Sequence, residues 1–106
     1  MVGGRARSRA PRELADDPQA WPHADLTGHR AAAHVQEIAG ALAAVMAEQG
    51  LSRRGLAAFS GVNRQSIADL LTGRSWPDVA TIACLEHALG RRLWPSVPDH
   101  RNSESA

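Results

Sequence analysis

Arg64 and Gln65 stand side by side and carry the two side-chain patterns that read a base pair from its edge. In a DNA major groove an arginine guanidinium forks onto guanine O6 and N7, and a glutamine amide onto adenine N6 and N7. Asp69 is four positions on, where a carboxylate can accept from cytosine N4; beside phosphates it more readily repels or pairs with an arginine. Arg53 and Arg74 have the charge a phosphate backbone attracts. The plain alternative is a polar, solvated helix face, since an exposed helix start is usually hydrophilic.

For such side chains to reach a groove, a short helix has to present them. Residues 51–73, LSRRGLAAFSGVNRQSIADLLTG, read as two short helices over about 53–60 and 64–72, joined at Gly61. Ser52 and Asn63 are N-cap residues, and Ile67, Leu70 and Leu71 recur at helical spacing behind Asn63. Gly61 suits the positive φ of a sharp turn, and Gly73 closes the second helix. Two helices this short must pack against something larger. An alanine-rich helix from about His29 to Gln49 offers Val35, Ile38, Leu42, Val45 and Met46 along one stripe, its AAAH start reading as a solvent-exposed extension. A fourth helix is predicted behind Asp78, with Val79, Ile82, Leu85 and Leu89 on its buried face and Gly90 at its end. Each of the three tryptophans precedes a proline, which disfavours helix and marks an element boundary.

Ala57, Gly61, Ile67 and Leu70 follow the spacing Ala-x3-Gly-x5-Ile-x2-Leu. With the flanking helices, residues 33–95 resemble the helix-turn-helix of the phage Cro/C1-type (XRE-family) DNA-binding proteins. The resemblance implies an all-α fold: a compact four- to five-helix repressor-like domain over 29–95. A flexible basic N-terminal arm over 1–28 and a disordered tail over 96–106 are expected around it. It implies base reading by Arg64, Gln65 and Asp69, and phosphate contacts from Ser52, Arg53, Asn63, Ser66, Arg74 and Ser75. Members commonly hold their first and third helices together with an Arg–Glu pair; Met46 and Leu71 take those positions here, so both partners are apolar together. Arg53 replaces the family's usual glutamine, and Phe59 takes a usually polar position, where it offers a self-association contact. Gly55 lies inside the second helix, either to admit a DNA backbone or as drift. A family-type fifth helix has no room before Pro95 and Pro98, so Leu93 and Trp94 are expected to close the core.

The net charge of +1 conceals segregation. Residues 1–12 carry Arg5, Arg7, Arg9 and Arg12 with no acid, residues 13–50 sum to −5, and residues 51–76 to +3. Positive charge thus gathers on the arm and the helix-turn-helix. The arm either tracks DNA or is a solubilising tail. All 12 basic residues are arginine, a bias of GC-rich, bacterial coding. The composition, 43% hydrophobic, suits one small domain without a membrane span or secretory signal. A lone cysteine excludes an internal disulfide and fits a cytoplasmic, nucleoid-associated protein.

Catalysis is not expected. The five histidines are scattered, and Cys84 with His87 makes two ligands, too few for a zinc site, so Cys84 reads as a core or boundary residue. No cofactor or metal is implied. Two functions from different classes remain. The first is a sequence-specific transcriptional regulator on double-stranded DNA, acting as a homodimer on paired half-sites. The second is a protein-interaction module, antitoxin-like or an RNA-polymerase adaptor, that engages a partner through the acidic first helix or the arm.

Overall fold

The computed structural model describes residues 9–96. Four helices form the body: α1 Arg30–Gln49, α2 Arg53–Ser60, α3 Arg64–Thr72 and α4 Val79–Leu89. Two 3₁₀ turns, Pro11–Leu14 and Pro18–Ala20, precede them. No strand occurs among the described residues, and no helix there is long and apolar enough to cross a membrane.

Local chemistry sets the helix limits. Ser52 Oγ accepts Gly55 N at 3.0 Å, Asn63 Oδ1 accepts Gln65 N at 2.7 Å, and Asp78 Oδ1 accepts Thr81 N at 2.7 Å. Each of these caps supplies a partner to a donor that the first helical turn leaves free. Gly61 ends α2 at φ 79°, in the left-handed region that lets the chain reverse into α3 within three residues.

α1 lies behind α3, while α2 packs against both α3 and α4. Their shared core contains Ile38, Leu42, Leu56, Ile67, Leu70, Ile82 and Leu85, all essentially inaccessible to solvent. Met46 is buried in this core and Leu71 packs on it from the edge. Val79 does not join them: it begins α4 and is 71% exposed. Among the described residues no buried side-chain polar atom lacks a hydrogen-bond partner.

The N-terminal expectation needs correcting. Residues 9–28 are not a flexible arm but a strap laid across α1 and the far end of α3. Ala15 and Leu26 form a second apolar cluster with Ala32, which is therefore buried rather than part of an exposed helical extension. Gln36 clips the strap in place, its Oε1 accepting Ala24 N at 2.8 Å and its Nε2 donating to Ala24 O at 3.0 Å. Trp21 packs against both clusters. Arg5 and Arg7 lie outside the described residues, as does the expected tail beyond Ser96.

After Gly90 the chain turns back, and no fifth helix follows among the described residues. Leu93 is buried and closes the core, whereas Trp94 is 44% exposed, its ring 6.2 Å from that of His34. The Glu86 carboxylate holds this turn, its Oε2 accepting Leu93 N at 2.7 Å and Trp94 N at 3.0 Å. Those two backbone donors, Trp94 before Leu93, hold the Glu86 carboxyl below the usual glutamate range.

Candidate nucleic-acid interface

The starts of α2 and α3 meet at one shallow concavity. Ser52, Arg53, Arg54, Arg64, Gln65 and Ala68 line it. The three arginines are exposed, and none forms an ion pair among the described residues, where Glu48–Arg91 at 3.0 Å stands alone. Two helix N-termini add their partial positive charge to the same surface. Ser52 caps Gly55 N, which leaves the earlier N–H groups of α2 pointing outward with no acceptor of their own helix. A phosphate fits such a place on charge and hydrogen bonding together.

Arg64 and Gln65 are the first two residues of α3, and both are exposed. Gln65 Nε2 donates to Asp69 Oδ1 at 2.9 Å, so Asp69 pairs with Gln65 and not with an arginine. This bond orients the amide without exhausting it. Nε2 has two hydrogens; giving one to Asp69 leaves the other and the whole of Oε1, the donor–acceptor pair that adenine requires. Asn63 accepts two backbone N–H groups with its side-chain oxygen, from Gln65 and Ser66, which leaves its amide NH2 for an outward contact. Ser66 is exposed on the same turn.

Arg74 and Ser75 stand apart from this group, in the loop at the opposite end of α3. Arg74 is exposed, and its backbone N donates to Asp69 O at 2.9 Å; Ser75 is half-buried. α3 has nine residues, a length of about 13 Å at 1.5 Å per residue, close to the width of about 12 Å of a B-DNA major groove. Cationic groups therefore lie at both ends of α3.

Gly55 has a local explanation. A Cβ there would lie 3.3 Å from Ser52 Oγ and press on the cap that starts α2. Arg54 lines the concavity although the spacing argument singled out only Arg53; its place one residue further into the same first turn was the available signal. On the other side of α2, Phe59 is 67% exposed and borders a hollow with Cys84 and His87. Cys84 is exposed, against the expectation of a core or boundary position, because it faces away from the stripe of Ile82, Leu85 and Leu89. Among the described residues no group of three or more His, Cys, Asp and Glu is placed to hold a metal ion.

Residues 42–93, from the second half of α1 to Leu93, fit the family model described as helix-turn-helix. No curated protein and no solved structure matches the chain significantly. The strap and the first half of α1 lie outside the matched residues.

Proposed function

The chain belongs, through residues 42–93, to the Cro/C1-type helix-turn-helix family of DNA-binding, non-enzymatic domains, and from that premise we propose that it is a sequence-specific transcriptional regulator. α3 enters the major groove, where Arg64 and Gln65 read base edges. Ser52, Arg53, Asn63 and Ser66 hold one phosphate strand, and Arg74 with Ser75 the other. The observation that carries this reading is the shared concavity, in which unpaired arginines and two helix N-termini surround the oriented Gln65. Asp69 acts through Gln65 rather than on a base of its own. One recognition helix buries too little surface to select a site in a genome, so the protein works as a homodimer on two half-sites. Such a regulator acts on chromosomal DNA in the cytoplasm, at the nucleoid.

Among the acids that would favour a protein-interaction module, three have local partners. Asp17 accepts Gln19 N, Asp25 accepts Thr27 N and Oγ1, and Glu48 pairs with Arg91. The Glu48–Arg91 pair offsets one of the acidic charges on α1. The deciding experiment is selection of duplexes from random DNA by the wild-type chain and by the Arg64→Ala/Gln65→Ala variant. The wild-type chain should recover one shared motif and the variant none, with both still folded. A variant that keeps full site preference would remove Arg64 and Gln65 from base reading.

A further inference from the structure

The C-terminal end of α3 is held by residues that the family match does not include. A helix ends with carbonyls that have no partner inside it. Here the carbonyl of Leu71, in the last turn, accepts the indole Nε1–H of Trp21 at 3.1 Å. Two residues further on, Gly73 O accepts Arg12 N at 3.0 Å. The Trp21 ring lies directly on Gly73: a Cβ built there would come within 2.5 to 2.8 Å of three indole atoms. Glycine is thus needed twice at this position, for its φ of 71° and for the room it leaves the ring. Trp76, at the end of the same loop, donates its Nε1–H to Arg9 O at 2.8 Å.

We propose that Trp21 is a positioning residue for DNA recognition, fixing the end of α3 and the loop after it relative to the base-reading turn. The proposal rests on the DNA-reading role assigned to α3 above. The Asn63 cap and buried Ile67 set the other end of the helix. A helix of this length is too short to hold its own direction in water, so its tilt in a groove depends on both anchors. Arg74 sits in the loop that Trp21 holds, while Arg64 and Gln65 sit at the far end of α3. Trp21 therefore governs how phosphate contact at one end registers with base contact at the other. It does so from the second apolar cluster, through the strap, without touching DNA.

Trp21→Phe in the full chain keeps an aromatic ring over Gly73 and removes the donor to Leu71 O. Hydrogen exchange tests the anchor without DNA. The amides of Gly73 and Arg74, bonded to Leu70 O and Asp69 O, should exchange several-fold faster in the variant, while the amides in the middle of α1 keep their protection. Unchanged exchange at Gly73 and Arg74 would overturn the proposal. DNA binding tests the consequence, as the ratio of affinities for the duplex that the wild-type chain selects and for a scrambled duplex of equal length. The ratio should fall about fivefold, the worth of one hydrogen bond, with affinity for the scrambled duplex unchanged because its phosphate contacts remain. A purely structural role lowers both affinities together and leaves the ratio intact, and that result would also overturn the proposal. If the wild-type chain selects no sequence, the regulator reading fails instead, and the exchange measurement alone decides whether Trp21 anchors α3.

Discussion

Gln65 and Asp69 share one hydrogen bond at 2.9 Å on the face proposed to meet DNA, and on that proposal the carboxylate has two opposed effects. It orients the amide assigned to base reading, and it would place a negative charge near phosphates. Asp69→Ala separates these effects. Affinity for an unrelated duplex should rise because the repulsion is gone, while discrimination between selected and unrelated duplexes should drop about threefold as Gln65 regains rotamer freedom. Parallel titrations of both duplexes at one salt concentration read the two outcomes. Met46, 7% exposed within the main core, makes the opposite kind of test. Met46→Arg alone puts an unpaired charge where Leu71 and its neighbours offer no acceptor, and a loss of about 3 to 5 kcal/mol is expected. Urea unfolding checks it. An unchanged midpoint would show that the apolar exchange at 46 and 71 does not serve the core.

α2 and α3 begin and end where their caps and glycines place them in the sequence, at Arg53–Ser60 and Arg64–Thr72. Ser52, Asn63 and the two closing glycines act on their own neighbours, so these limits follow from local chemistry. The concavity was legible for the same reason, as its residues lie within the first turns of those helices. What needed the third dimension was the face of each residue at an element's edge. Val79 follows the period of its helix yet starts before the core does, and Cys84 turns away from it. The turn after α4 was half legible: Leu93 had a hydrophobic reason to close the core, but nothing local announces that Glu86 reaches forward to two backbone donors. Because those bonds lower the Glu86 pKa in the folded state, their contribution is complete above the unfolded glutamate value and is lost as pH falls through the lower, folded one. Asp25, Glu48 and Asp78 are lowered in the same sense and act in the same direction. Glu86→Gln should therefore lower Tm at neutral pH and give a shallower fall of Tm on acidification than the wild type. Melting curves from neutral to acid pH would decide; parallel curves for the two proteins would show that the carboxylate holds no charge-dependent share of the turn.

Across the whole molecule, the domain is larger than its helix-turn-helix. A chain beginning at His29 keeps every helix but uncovers Ala32, Gln36 and the end of α3. Its Tm should fall by at least about 8 °C, the equivalent of roughly 2 kcal/mol in a domain of this size. Thermal melts of the two chains side by side test this, and equal midpoints would reduce the strap to a passive cover. The sequence hid the strap because Leu14, Ala15, Trp21 and Leu26 follow no helical or strand period; proline-started turns place them, and single bonds to distant backbone hold them. The bond from Trp76 to the Arg9 carbonyl spans 67 residues of chain, and this has a temporal side. A plain helical bundle assembles mostly from near neighbours and does so quickly, whereas each closure across such a distance slows folding. During synthesis Arg9 and Trp21 leave the ribosome well before the end of α3 and the loop after it, which they meet, have been made. Trp21 must then wait on the nascent chain for Leu71 and Gly73, although Ala24 and Leu26 have their partners Gln36 and Ala32 close behind them.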